Sequence, residues 1–161
     1  MRHRVYCRHA SDCLTRLDIS VIRRAAYAAL QCEKVDAPCE ISVLITNDAG
    51  IQRLNRKYRN VDSVTDVLSF PQYELKPGAF TAPAPALDAN EGAFILGDIV
   101  LSAERVDAQA AELGHTAGRE TAYLTVHSVL HLLGYDHTDE GAEKRLMRAR
   151  EKEIMRQMGG A

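Results

Sequence analysis

Helices and strands intermix along this 161-residue chain, which predicts an α/β or α+β single domain: a small mixed sheet of about four strands under about five helices. Three observations carry that prediction. Two stretches, 40–46 and 94–102, are rich in β-branched and aliphatic residues and read as buried strands. Other segments repeat apolar residues every three to four positions, the helical period. The length suits one hydrophobic core, and there are neither internal repeats nor a break in composition that would mark a second domain.

Taken in order, residues 2–10 mix basic and apolar side chains and read as an edge strand. Asp18 caps a helix running to Cys32, with Ile19, Ile22, Ala26 and Leu30 at helical spacing. Pro38 breaks the chain, and Glu40–Thr46 follows as a buried strand. Asn47 or Asp48 caps a second helix to about Tyr58, with Ile51, Leu54 and Tyr58 on its apolar face. A polar loop at 59–66 leads to a short strand, Val67–Phe70, ended by Pro71. Residues 71–93 are rich in Pro and Ala without a period and read as a surface loop. Phe94–Ser102 is a central strand, and Ser102 caps a helix that Gly114 ends. Gly118–Leu133 is an apolar helix. Asp139–Met158 is a final amphipathic helix, with Ala142, Leu146, Ala149 and Ile154 facing inward.

Composition narrows the function classes. At 46% hydrophobic and 26% charged residues the chain is of ordinary globular character. No apolar run approaches the ~18 residues of a membrane span. The opening Met1-Arg2-His3-Arg4 is basic but lacks the apolar run of a secretory signal, so the expected location is cytoplasmic. Cys7, Cys13, Cys32 and Cys39 form no C-x-x-C pair and read as free, buried or half-buried thiols. The net charge of -2 hides a local cluster: Arg53, Arg56, Lys57 and Arg59 fall within seven residues. Such a run reads either as a solvated helix face or as a surface for phosphate.

The richest stretch is 127–137, His-Ser-Val-Leu-His-Leu-Leu-Gly-Tyr-Asp-His, which holds three of the six histidines. His127 and His131 are one helical turn apart and leave the same face. Gly134 suits a left-handed helix cap that would return His137 towards them. Apolar Val129, Leu130, Leu132 and Leu133 bury this helix, and buried imidazoles need partners. Three neutral imidazoles make a zinc site of the catalytic type, with a fourth position open for water. Three-histidine sites also accept nickel, copper or iron.

An absence sharpens the chemistry. Zinc proteases of the H-E-x-x-H type carry a glutamate directly after the first histidine as general base. Here that position is Ser128. A metal-activated water needs such a base less when the substrate is otherwise activated, as a phosphodiester beside an arginine is. Arg59, at the end of the basic helix, is the candidate for that arginine; a salt bridge to Asp62 or Asp66 is the alternative. Asp136 and Asp98 are candidates to hydrogen-bond a ligand's outward nitrogen, or to cap a turn and bond backbone respectively. His115 reads as a surface residue and Tyr135 as packing.

These residues resemble a known family. The 127–137 stretch is similar to the H-G-x-L-H-L-x-G-Y-D-H signature of the YbeY family of bacterial endoribonucleases and rRNA maturation factors. Leu54-Asn55…Tyr58-Arg59 with Thr65-Asp66-Val67-Leu68-Ser69-Phe70-Pro71 resembles the family's L-N-x-x-Y-R…T-[DN]-V-L-S-F-P block, and Leu96-Gly97-Asp98-Ile99 its L-G-D-I strand. The blocks keep the family's order over about 40–155. The resemblance implies zinc held by His127, His131 and His137, and Arg59 as a functional arginine. It also implies a role in 16S rRNA 3′-end processing and ribosome quality control. Implied partners are single-stranded rRNA, the small ribosomal subunit, one of its proteins and an Era-type GTPase. Two positions depart from the pattern: Ser128 stands for the usual Gly and Val64 for the usual Pro. The 71–93 loop is longer than typical.

Three functions follow as competitors. The first is a metal-dependent endoribonuclease of single-stranded RNA, with catalytic Arg59, His127, His131 and His137, RNA contacts from Arg53, Arg56, Lys57 and Arg59, and Ser128, Asp136 and Asp98 around the ligands. The second is a zinc peptidase, which Ser128 disfavours. The third is a ribosome-assembly factor whose metal is structural.

Overall fold

The computed structural model describes residues 2–83, 92–136 and 141–159. Four strands and five helices occur among them: β1 (Arg4–His9), α1 (Ile19–Cys32), β2 (Cys39–Thr46), α2 (Asp48–Arg59), β3 (Val67–Pro71), β4 (Phe94–Ser102), α3 (Ala103–Leu113), α4 (Ala117–Leu132) and α5 (Ala142–Gln157). The sheet order is β1-β2-β4-β3. β1, β2 and β4 run parallel, and β3 is antiparallel to β4 at one edge. The mixed α+β domain expected from sequence is therefore present. No described helix is long and apolar enough to cross a membrane.

Local chemistry sets most boundaries. Asp18, Asn47, Ser102 and Thr116 each accept a hydrogen bond from a backbone N–H in the first turn of α1, α2, α3 and α4. α3 ends at Gly114 with φ 72°. The four cysteines are free, Cys13 and Cys39 buried and Cys7 and Cys32 half-buried.

α1 and α4 pack together on the sheet over Ile22, Ala26, Leu30, Val129 and Leu130, all fully buried. A buried Leu, Ile or Val is worth about 1.5–3 kcal/mol. α4 and its C-cap Leu133 bury six such side chains, Leu124, Val126, Val129, Leu130, Leu132 and Leu133. That burial fixes the rotation of α4 about its axis, and with it the direction of its histidines.

Asp98 corrects the sequence reading. A register shift lies between Glu40 and Ile41 of β2, so that Ile41 faces Gly97 and β4 carries one extra residue. Leu96 and Gly97 are consequently both buried and Asp98 is exposed. α4 approaches closely at Gly97, where a Cβ would lie 2.7 Å from Leu132 Cδ2 and 2.4 Å from the Phe70 carbonyl oxygen. Asp98 points the other way, in a cross-strand row Tyr6–Ser42–Asp98–Phe70 on the opposite sheet face. It is neither buried nor beside the histidines.

Three further expectations change. On α2, Tyr58 is 57% exposed and Asn55 takes the inward position, donating from Nδ2 to the Ser63 carbonyl. On α5, Ala142, Leu146 and Ala149 are exposed, and the buried residues are Met147, Glu151 and Ile154. The expected start of that helix at Asp139 lies outside the described residues, as do 84–91 of the Pro/Ala-rich stretch. The described part of that stretch is not a free surface loop. Tyr73, Leu75 and Phe80 are half-buried against the core, with Tyr73 and Phe80 packed on the Phe94 ring at 6.0 and 5.9 Å.

Candidate metal centre

α4 presents His127 and His131 from one face, and their Nε2 atoms lie 3.1 Å apart. Each Nδ1 is engaged on the other side of its ring. His127 Nδ1 is 2.6 Å from Glu151 Oε2, and His131 Nδ1 is 2.9 Å from the Tyr135 carbonyl oxygen. A carbonyl only accepts, so His131 Nδ1 carries its hydrogen, and the same assignment suits an ionised Glu151. In the neutral rings both Nε2 atoms, 3.1 Å apart, then point their lone pairs to the same side. Two acceptors at 3.1 Å repel unless something electron-poor sits between them. Two Zn–N bonds of about 2.0–2.1 Å at a tetrahedral angle place their nitrogens about 3.3 Å apart. The donor set and its spacing therefore fit zinc.

His137, the third ligand expected from sequence, lies outside the described residues. Among the described residues no group of three or more His, Cys, Asp or Glu side chains could hold a metal. The histidine pair is thus the described part of the site.

The turn after α4 is built to hold position. Tyr135 N–H donates to the Leu130 carbonyl and Gly134 N–H to the His131 carbonyl, the paired bonds of a Schellman cap. Gly134 has φ 102°, a conformation that favours glycine. Tyr135 is more than packing. Its carbonyl orients His131, and its hydroxyl donates to buried Glu33, which also pairs with Arg150 Nε at 2.7 Å. Burial, with the Glu33 carboxylate as second cause, pushes the Tyr135 phenol well above its ordinary pKa, so it stays a donor. α1, the turn and α5 are tied through this one network.

Glu151 is the residue that sequence reasoning missed. Its carboxylate is buried between His127 Nδ1 and the Tyr123 hydroxyl, which donates to Oε1 at 3.3 Å. Burial, then the charge of Glu151, raises the Tyr123 pKa to about 12. The available signal was a carboxylate at the centre of the α5 stripe, four residues after Met147 and three before Ile154. Glu151 sits on the Nδ1 side, across the ring from the facing Nε2 atoms, so it orients His127 rather than joining the Nε2 pair. Glu151→Gln is expected to lower zinc affinity about 10–100-fold. Competition against a chromophoric chelator measures this, and an unchanged affinity would remove Glu151 from the site.

The outward nitrogens of both described rings are thus held by Glu151 and Tyr135. Asp98 is on the far sheet face, and Asp136 is exposed where the described turn ends. Ser128 is fully buried, and its hydroxyl has no hydrogen-bond partner among the described residues. His115 is half-buried rather than superficial, 3.1 Å from buried Glu120. Arg53, Arg56, Lys57 and Arg59 are all exposed on α2. The Arg59 guanidinium donates to the Ser69 carbonyl and lies 5.1 Å from the Phe70 ring centre, rather than pairing with Asp62 or Asp66. Arg59 is thereby fixed over β3.

Fold and site together define an α+β domain whose longest apolar helix carries a pre-oriented histidine pair. The family model described as Endoribonuclease YbeY matches residues 10–159. The chain is 50% identical over 143 residues to the Endoribonuclease YbeY of Roseiflexus sp. (strain RS-1), covering 89% of this chain and 85% of that one. It is 46% identical over 142 residues to its counterpart from Clostridium kluyveri (strain NBRC 12016), covering 84% and 86%. The solution structure of TM1509 from Thermotoga maritima superimposes with a TM-score of 0.57 at 18% identity over 97% of this chain and 92% of that one, a likeness of fold. This chain belongs to the Endoribonuclease YbeY family.

Proposed function

We propose that the protein is a zinc-dependent endoribonuclease of single-stranded RNA, acting in the cytoplasm in 16S rRNA 3′-end maturation and ribosome quality control. The observation that carries the metal is the pair of facing Nε2 atoms with both Nδ1 positions engaged. His127, His131 and His137 hold the ion. The RNA substrate is supported by the family of the chain's relatives. When bound, zinc supplies Lewis-acid polarisation of a phosphoryl oxygen and makes water acidic enough to react near neutral pH.

The chain's own residues do the rest. Glu151 and the Tyr135 carbonyl hold the imidazoles in the ligating tautomer. Arg59 spends a donor on Ser69 and keeps others of its five N–H groups for a phosphate. Arg53, Arg56 and Lys57 extend that surface along α2. The partners proposed with this function, on the sequence resemblance alone, are the small ribosomal subunit, one of its proteins and an Era-type GTPase.

Cleavage of a labelled single-stranded RNA, with and without chelator, tests the reading, and Arg59→Glu tests the phosphate contact. The variant is expected to bind RNA about tenfold or more weakly, the cost of turning one charged contact into a repulsion. Its zinc content should match wild type. Loss of zinc in that variant would mean that Arg59 holds the fold instead.

A further inference from the structure

A cavity of about 910 Å³ opens between the residue before β3 and helices α3, α4 and α5. It adjoins the histidine pair. Tyr123 lines it, is 37% exposed, and lies 6.1 Å ring to ring from His127 while bonding Glu151. α5 contributes Arg148, Lys152 and Arg156 to the wall, spaced four apart and so on one helix face, and α4 contributes Arg119. Arg156 pairs with Glu153. Arg119, Arg148 and Lys152 are exposed and make no ion pair among the described residues.

Of the cavity's four carboxylates, two are withdrawn from solvent. Glu120 is buried and spent on His115 and Gln109, and Glu151 on His127 and Tyr123. Asp66 and Glu112 remain accessible against three unpaired cations, Arg119, Arg148 and Lys152, with Arg156 offset by Glu153. The surface that solvent meets therefore carries more unpaired cations than acids, with the partly exposed Tyr123 ring among them. That pairing suits a single-stranded nucleic acid, whose bases stack on aromatic faces while its phosphates follow a basic groove. An acidic peptide would use the cations and leave the ring idle. The position also fits. Asp66 lines the cavity, and Arg59 rests on Ser69 three residues later, so about 10 Å of extended chain separates the two basic surfaces.

We propose that this cavity binds a second stretch of the single-stranded RNA substrate, flanking the one at Arg59, with Arg119, Arg148 and Lys152 on its phosphates and Tyr123 against a base. This rests on the endoribonuclease reading. It gives α5 a role in substrate binding beyond orienting His127.

The test is fluorescence anisotropy with a 2′-O-methyl single-stranded RNA, which binds without being cleaved, using the full chain as purified. Arg148→Glu/Lys152→Glu is expected to weaken binding at least tenfold. It should also flatten the plot of log affinity against log salt by about 1.4, for two phosphates at about 0.7 each. Arg148→Lys/Lys152→Arg should bind as wild type, with melting temperatures unchanged throughout. The same change in net charge at Arg2 and Arg16, outside the cavity, should cost no more than twofold. Wild-type RNA binding with full retention in the Glu pair would overturn this inference and leave the endoribonuclease reading standing. A wild type that binds no RNA would overturn both. Displacement of the RNA by poly-glutamate at equal charge concentration would assign the cavity to acidic polypeptides and overturn it too.

Discussion

His131→Ala is expected to emerge from chelator-free purification without zinc and without ribonuclease activity, beside a wild type carrying about one zinc per chain. The substitution removes one of the two facing Nε2 atoms and the donor that the Tyr135 carbonyl accepts. The remaining His127, however well held by Glu151, offers a single described nitrogen. Elemental mass spectrometry of the two proteins side by side decides the matter. Stoichiometric zinc retained in the variant, or absent from the wild type, would sink the assigned site. RNA binding by the zinc-free variant then separates the two remaining functions. An assembly factor with a structural metal should still bind RNA if it stays folded, whereas cleavage at wild-type rate without zinc would refute the metal mechanism altogether.

Gly134→Ala is expected to be among the costliest alanine substitutions at the described glycines. Its φ of 102° is strained for an L side chain, and a Cβ there would lie 2.0 Å from the Leu75 carbonyl oxygen and 2.7 Å from the Leu75 carbonyl carbon. The strained backbone costs about 1–2 kcal/mol, and forcing an extra methyl into packed surroundings about 1–3. A total of roughly 3 kcal/mol is a large share of the 5–15 kcal/mol that keeps a domain folded. For a chain of this size it lowers the melting temperature by about 6–12 °C. Zinc affinity should fall with it, because the residue that moves next is Tyr135, which holds His131 and anchors to Glu33. Gly114→Ala is the control. Its φ of 72° carries the backbone cost, but nothing lies within 4 Å of the added Cβ. Equal melting temperatures for the two variants would show that Leu75 does not clamp the turn.

The features legible in the sequence are those governed by neighbours a few residues away. His127 and His131 share a face because the helical period puts them there. Gly134 ends the helix because few other residues adopt its φ, and the side-chain caps of α1, α2 and α3 lie at their first turns, whereas the Thr116 cap of α4 emerged only in the structure. The strands at 40–46 and 94–102 declared themselves by β-branched composition. Only the tertiary structure decided which distant group meets which. Glu151 lies 24 residues from the His127 nitrogen it holds, and only its place between Met147 and Ile154 sets it apart from the other acids of α5. Asp98 faces away from the site because one register shift beside Ile41 reverses the alternation of β4. α5 buries Met147 in place of neighbouring Leu146 because the two candidate stripes are similarly apolar, and contact with α1 and α4 selects between them. Local periodicity determines what an element is and which faces it offers. Burial of six aliphatic side chains on α4 and its C-cap, a long-range term, determines where the histidines finally point.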